Sequence, residues 1–141
     1  MTEHREIELK LEIDPAALQQ LRDDRANAIA AAEESRQRLS SVYFDTSKFR
    51  LRQAGFTLRV RAEGNRRLQT VKHEGHGAAG LFERPEWTVE IESDEPDLSQ
   101  IKNTPLDGAV SARRLRGRLR PVFWTEIERT TWRIISRAAE V

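Results

Sequence analysis

Glu6-Ile7-Glu8-Leu9-Lys10 alternates acidic, apolar, acidic, apolar and basic residues close to the start of the chain. Successive side chains of a β-strand point to opposite faces, so Glu6, Glu8 and Lys10 are expected to share one face. Ile7 and Leu9 then share the other face, which is suited to a hydrophobic core. The charged face is therefore predicted to line either solvent or a polar cavity.

The same alternation returns in four strands predicted further along the chain. Their charged positions are Arg59, Arg61, Lys72, Arg84, Glu86 and Arg129. Carboxylates can hold a divalent cation, and lysine or arginine can hold phosphate groups through charge-assisted hydrogen bonds. For any one such pair of charges, a solvated face is the commoner explanation. The recurrence on strand after strand is what favours a cavity.

Composition narrows the class of protein. The chain has 141 residues, of which 33% are charged, with a formal net charge of +1. This length predicts one domain over residues 1–141, and the balanced charge argues against a nucleic-acid-coating protein. The absence of cysteine excludes disulfides and cysteine zinc sites. Without a signal-peptide pattern or an apolar run of roughly 20 residues, we expect a cytoplasmic protein with no membrane partner.

Strand and helix signals alternate along the chain in an order typical of an α+β fold. Strands are predicted at residues 4–13, 37–45, 56–62, 67–74, 81–92 and 122–136. A helix is predicted from Asp14-Pro15, a short turn at 98–102, and a basic helix at 106–119 that Pro121 ends. Residues 75–80, with three glycines, are expected to form a mobile loop, and Pro85 favours a strand edge or a bulge.

Several other sites are disfavoured by the sequence. It lacks the G-x-x-x-x-G-K-[ST] phosphate loop, and no Ser–His–Asp arrangement is legible. His4, His73 and His76 do not have metal-ligand spacing. The basic run at residues 113–120 lacks interleaved aromatic residues, so it is better explained as a solvated helix face than as a nucleic-acid patch.

Taken in order, five elements resemble the CYTH family, the triphosphate tunnel metalloenzymes. Its E-x-E-x-K signature is similar to residues 6–10, its Y-[FY]-[DE]-T to 43–46, L-R-x-R to 58–61, T-x-K to 70–72, and R-x-E to 84–86. The runs 80–87 and 121–132 look like the bacterial inorganic triphosphatase branch of that family. The resemblance covers essentially the whole chain.

The resemblance implies an eight-stranded antiparallel barrel with flanking helices and a tunnel that binds triphosphate. Glu6 and Glu8 would bind the metal ion, Mg²⁺ or Mn²⁺, and together with Lys10 would form the catalytic set. The phosphates would be held by Lys10, Arg59, Arg61, Lys72, Arg84 and Arg129, with Glu86 in support.

One departure from the family pattern is visible. A strand with an Asp-x-Gly turn and a last strand with E-x-E follow the Arg129 strand in the family, whereas this sequence ends at Val141 before either. We therefore expect a barrel that is incomplete at its C-terminal side. Its open edge would leave the tunnel open on one side or pair with a second copy in a homodimer.

The leading hypothesis is metal-dependent hydrolysis of inorganic triphosphate to phosphate and pyrophosphate. A thiamine triphosphatase or class IV adenylate cyclase type of activity, acting on another polyphosphate, is an alternative within the family. A non-catalytic polyphosphate- or nucleotide-binding module is the second class of function. A charged interaction domain without a ligand site is the third.

Overall fold

An antiparallel β-sheet with short helices beside it forms the framework of the computed structural model, which describes residues 2–28, 33–74, 76–78 and 81–133. The strands are β1 (Thr2–Leu9), β2 (Glu33–Thr46), β3 (Phe56–Glu63), β4 (Arg66–His73), β5 (His76–Ala78), β6 (Leu81–Ile91) and β7 (Leu119–Arg133). The helices are α1 (Pro15–Ala28), α2 (Arg50–Gln53), α3 (Leu98–Ile101), α4 (Pro105–Ala109) and α5 (Ala112–Leu115). In these ranges no helix combines the length and the apolar character that crossing a bilayer requires.

The sheet runs in the order β1-β6-β4-β3-β2-β7, and β5 adds to β6. All of its pairings are antiparallel. Among the described residues no hydrogen-bonded ladder joins β1 to β7, so these strands form the two edges. The predicted α+β fold with an antiparallel, incompletely closed sheet is confirmed. The homodimer expected at the open edge stays a prediction.

The hydrophobic core lies between one face of the sheet and the short helices. The sheet contributes Phe44, Phe56, Leu58, Val60, Val71, Trp87 and Ile91, and the helical segments contribute Leu51, Ile101, Leu106, Val110, Ala112 and Leu115. The alternation in β3 explains the arrangement, because Phe56, Leu58 and Val60 are buried here while Arg59 and Arg61 fall on the other face. The short helices α2 to α5 thus cover one face of the sheet, and the charged side chains of β3 lie on the other face.

Three aspartates accept backbone N–H groups near the starts of helices α1, α2 and α3. Asp14 accepts a hydrogen bond from the Ala16 backbone N–H (2.8 Å), and Asp97 accepts one from Ser99 (2.8 Å), as expected for residues that precede helices. The Asp45 carboxylate is buried and accepts three backbone N–H groups, from Thr46, Leu51 and Arg52. It therefore ties the end of β2 to α2.

The predicted basic helix over 106–119 is wrong. Two one-turn helices, α4 and α5, take its place, because Val110 adopts an extended backbone (φ −138°, ψ 97°) and Asp107 accepts the Ala112 N–H at 2.6 Å. Pro121 does not end a helix either, since it lies inside β7. It sits where the β2–β7 register shifts, on an edge strand, and both features accommodate a residue without a backbone N–H.

Pro85 lies on β6, which is an interior strand rather than an edge. The β4 ladder on one side of β6 reaches only Glu86, and the β5 ladder begins at Glu83. On that side of β6, Pro85 therefore falls in the gap between two ladders, while on the other side it lies opposite Arg5 of β1. A proline is tolerated in a strand where no ladder partner needs its N–H. The loop expected over 75–80 contains the short strand β5 at residues 76–78, and its other positions lie outside the described residues.

Candidate triphosphate-binding face

Strand register gathers the predicted charged positions on the face opposite the core. Residues directly opposed in an antiparallel ladder share a face. Arg59 lies opposite Thr70, and Thr70 lies opposite Thr88. The alignment of Lys72 with Glu86 continues this row across β4 and β6. We call this side of the sheet the charged face.

The first and last strands extend the charged face. The backbone of Glu6 is aligned with Arg84, and Glu8 is aligned with Phe82. On the far side, Arg61 lies opposite Ser41, which in turn lies opposite Thr125 of β7. Arg129, four residues beyond Thr125, occupies the same face by strand alternation.

A hydrogen-bonded chain crosses β4 and β6 in the centre of this face. Lys72 Nζ lies 2.7 Å from Glu86 Oε2, and both side chains are mostly buried, at 17% and 20% exposed. Thr88 donates to Glu86 Oε1 at 3.0 Å, and its hydroxyl also lies 3.1 Å from that of Thr70. Burial favours the neutral acid, but the Lys72 hydrogen bond and charge, helped by Thr88 and Arg59, outweigh it and lower the pKa of Glu86. Glu86 is therefore held as a carboxylate.

The arginines of β3 lie deep in the same face. Arg61 is only 8% exposed, and its Nε donates to the Ser41 hydroxyl at 3.0 Å. Burial first, and then the positive charges of Arg59 and Arg129, lower the pKa of Arg61. The guanidinium nonetheless stays protonated at neutral pH, because arginine begins from a very high pKa. The charges of Arg59 and Arg129 thus act on the buried Arg61, and an anion bound beside them would relieve this repulsion.

Within the described residues, two buried polar atoms on the charged face have no hydrogen-bond partner. They are the Nε of Arg59 and the hydroxyl oxygen of Thr125. Leaving a buried donor or acceptor without a hydrogen-bond partner costs about 1–3 kcal/mol. Such groups in a native structure therefore suggest a ligand or an ordered water at that position. The unsatisfied Nε–H of Arg59, together with the positive charges of Arg61 and Arg129, is suited to binding an anion with several oxygens.

The remaining predicted residues lie toward the β1 side or on the rim. Lys10 follows the end of β1, is exposed, and lies 3.4 Å from Glu8. Arg84 is partly buried, whereas Arg129 is exposed although its charge reaches Arg61. For Glu6 the structure describes the backbone and not the side chain.

The metal site predicted near β1 can be examined at Glu8, since Glu8 is the member of the Glu6/Glu8 pair whose side chain is described. Mg²⁺ takes one or two carboxylates together with phosphate oxygens and waters, and does not require a cage made by the protein alone. Glu8 is partly buried near the β1 edge, and the register brings the Glu6 backbone beside Arg84. Among the residues whose side chains are described, no group of three or more potential ligands comes together. A cation held here would therefore depend on the phosphate for part of its shell.

An aromatic cavity of about 340 Å³ lies where the ends of β2 and β3 meet β7 and α2, and its walls include residues of both sheet faces. Tyr43 and Phe123 stack at 4.3 Å between ring centroids, and Phe56, Thr57 and Glu74 complete the side nearest to them. The sequence alone gives no indication of an aromatic pocket, because its walls come from strands that are far apart in the chain.

Sequence reasoning gave no site role to the neutral partners of the charges, notably Ser41, Tyr43 and Thr88, although Tyr43 belongs to the motif at 43–46 and Thr88 shares the strand parity of Arg84 and Glu86. The odd-numbered positions of β2 could have signalled Ser41 and Tyr43, since they alternate with apolar Val42 and Phe44. Their pairing with Arg61 and Arg59 depends on strand register, which one sequence does not reveal.

Comparison with known proteins agrees with the fold and the motifs. The family model described as CYTH domain matches residues 4–141. An inorganic triphosphatase from Haemophilus influenzae is 31% identical over 129 residues, which is 90% of this chain and 35% of that protein. The chain therefore spans about a third of the length of this relative.

Two solved structures share the fold at low sequence identity. A protein from Hippeastrum, proposed to be an adenylyl cyclase and described as having a dominant triphosphatase activity, superposes with a TM-score of 0.61 and 15% identity, covering 94% of this chain and 65% of that one. A protein from Bacillus halodurans, proposed to be an adenylate cyclase, gives a TM-score of 0.52 and 14% identity, covering 99% and 78%. Because the CYTH domain model matches residues 4–141 of this chain, the chain belongs to the CYTH domain family.

Proposed function

We propose that the charged face binds inorganic triphosphate and, with Mg²⁺ or Mn²⁺, hydrolyses it to phosphate and pyrophosphate. The observation that carries the proposal is the buried Nε donor of Arg59, which has no hydrogen-bond partner and belongs to a group of arginines with Arg61 and Arg129 whose charges act on one another. A polyphosphate supplies both the missing acceptor and the missing negative charge. The inorganic triphosphatase among the relatives supports the same substrate class.

Each part of the face has a role suited to phosphoryl transfer, which needs mainly positioning and charge neutralisation. Arg59, Arg61 and Lys72 would hold the phosphate oxygens, with Arg84 and Arg129 at the margins. As water attacks the terminal phosphorus, the bridging P–O bond breaks and negative charge grows on the departing pyrophosphate. The fixed cations would stabilise that charge without reorganising.

Glu6, Glu8 and Lys10 would act at the β1 side of the face. Glu6 and Glu8 would hold the divalent cation, which when bound lowers the charge on the phosphates and orients the attacking water. Lys10, which lies 3.4 Å from Glu8, would contact the outer phosphate. We expect substrate to replace Glu86 as the acceptor from Lys72, because both present anionic oxygens to the same ammonium group.

The test is phosphate release from tripolyphosphate with and without Mg²⁺. We expect metal-dependent release by the unaltered chain, and a fall of at least about 100-fold in Glu6→Gln/Glu8→Gln, because each change removes an anionic ligand at nearly constant volume. Glu126→Gln, which alters an exposed carboxylate paired with Arg38, serves as the control and should retain its rate. Equal rates in the double variant and the control would refute the metal role of the pair.

An organic triphosphate is the second candidate substrate, favoured by the aromatic cavity beside Tyr43 and Phe123. An aromatic group attached to the phosphates would find both stacking surface and the Glu74 carboxylate there. Comparing the rates for tripolyphosphate, ATP and thiamine triphosphate distinguishes the two. Faster turnover of an organic substrate, lost in Phe123→Ala, would favour the second.

A further inference from the structure

A second concentration of positive charge lies away from the charged face, where β2 and β7 meet the α2 and α5 connections. It is a pocket of about 290 Å³ lined by Thr46, Ser47, Lys48, Arg50, Gly117, Arg118 and Arg120. We call it the basic pocket. Ser41, the partner of Arg61, precedes Thr46 by five positions on β2, which corresponds to roughly 16 Å along a strand.

The four cations of the basic pocket have no carboxylate partner within the described residues, a property they share with exposed residues such as Arg113 and Arg114, but they differ from those in lining one concave space. Elsewhere on the surface, Arg36, Arg38, Arg66 and Arg67 each pair with a carboxylate. Over the part of the chain that the structure describes, no such ion pair involves the pocket residues Lys48, Arg50, Arg118 and Arg120. The four side chains are exposed and surround one concave space, where an anion would be attracted by all of them at once.

The backbone on both sides of the pocket is held in place. The buried Thr46 hydroxyl accepts the Arg50 N–H at 3.1 Å, and Asp45 directs its carboxylate to backbone N–H groups rather than to the pocket cations. On the opposite wall, Gly117 adopts φ +67°, a left-handed turn that carries the chain from α5 into β7. The cations therefore project from a preformed frame.

We propose that the basic pocket is a second binding site, for a compact phosphate anion with several charges such as pyrophosphate or tripolyphosphate. Four cations around a small concave space match a short anion of high charge density. A nucleic acid would gain little from the same wall, because none of the lining residues is aromatic and bases would have no stacking surface. The site is independent of hydrolysis on the charged face.

The test is calorimetric titration of the protein with pyrophosphate at fixed ionic strength and without metal. The variant Arg59→Gln/Arg61→Gln, which weakens the charged face, is the background in which any remaining binding is measured. Adding Lys48→Gln/Arg118→Gln should weaken that remaining binding at least about tenfold. The matched control adds Arg113→Gln/Arg114→Gln, which removes two exposed arginines of α5 outside the pocket.

The outcomes separate clearly. Loss of pyrophosphate binding with the pocket substitutions and its retention with the control would support the site. Absence of triphosphate hydrolysis would contradict the proposed function of the charged face but not the proposed second site. Equal loss in both variants would mean general charge attraction and would overturn the proposal, as would unchanged binding in the pocket variant. Binding of a single-stranded oligonucleotide in place of pyrophosphate, lost with the same substitutions, would also overturn it.

Discussion

At the scale of single residues, the Lys72–Glu86 pair shows how the charged face is kept ready without ligand. A mostly buried cation without a partner would be costly, and Glu86 offsets that cost at 2.7 Å. The pair also positions Thr88 and, through it, Thr70. Glu86 thus supports the charged face, which we propose binds the phosphates, and we assign it no reacting role.

Replacing Glu86 by Gln should alter stability in a pH-dependent way. The pKa of Glu86 is lowered on folding, so its contribution is present above the usual glutamate pKa and is lost as pH falls through the lowered value. We expect Glu86→Gln to lower the free energy of unfolding by about 1–3 kcal/mol at pH 7, and to flatten the loss of stability below about pH 4.5.

Urea unfolding between pH 7 and pH 3 measures this effect. Glu90→Gln is the matched control on the same strand, because Glu90 pairs with the exposed Arg66 and should contribute under about 1 kcal/mol. Parallel stability curves for the two variants would contradict the role given to the buried pair.

At the scale of elements, the connection from β2 through α2 depends on Asp45. The carboxylate accepts the N–H groups of Thr46, Leu51 and Arg52 at 2.6–3.1 Å. It thereby places Leu51, which is fully buried, in the core between the sheet and the helices. This explains physically why an acidic residue follows Tyr43-Phe44 in the sequence.

Asp45→Ala should therefore be among the more harmful changes in the chain. Loss of three hydrogen bonds to a buried carboxylate is expected to lower the free energy of unfolding by about 2–4 kcal/mol. Asp107→Ala, which removes the acceptor of the Ala112 N–H, should cost about 1 kcal/mol. Thermal unfolding of both variants checks the ranking, and an equal or reversed order would show that Asp45 does not hold the connection.

Elements whose signal is local are predictable from the sequence, and those set by register are not. Alternation in Phe56 to Ala62 is enough to place the arginines of β3 opposite the core residues. Pro121 is misleading, because a proline after a basic run also suits a register shift on an edge strand. The joining of Arg61 to Ser41, and the basic pocket, require the pairing of distant segments.

At the scale of the whole molecule, the sheet separates two environments. Its core face packs against the helices, and its other face concentrates Arg59, Arg61, Lys72 and Glu86 in a space with little water. Strand β4 contributes to both faces of the sheet, and Gln69 belongs to the core face. Gln69 is fully buried and exchanges two hydrogen bonds with the Asp97 backbone, while its neighbours Thr70 and Lys72 belong to the charged face.

Affinity for tripolyphosphate without metal tests the charged face most directly. Titrations would compare the unaltered chain, Arg59→Gln/Arg61→Gln, and the control Arg36→Gln/Arg38→Gln, which removes two exposed arginines paired with surface carboxylates. Each variant loses two positive charges, so general attraction changes equally. We expect Kd for the tightest site to rise at least about tenfold in the first variant, because charge-assisted bonds contribute about 1.5–3 kcal/mol each, and to stay within about threefold in the control. Equal affinities in the two variants would contradict a binding role for the charged face.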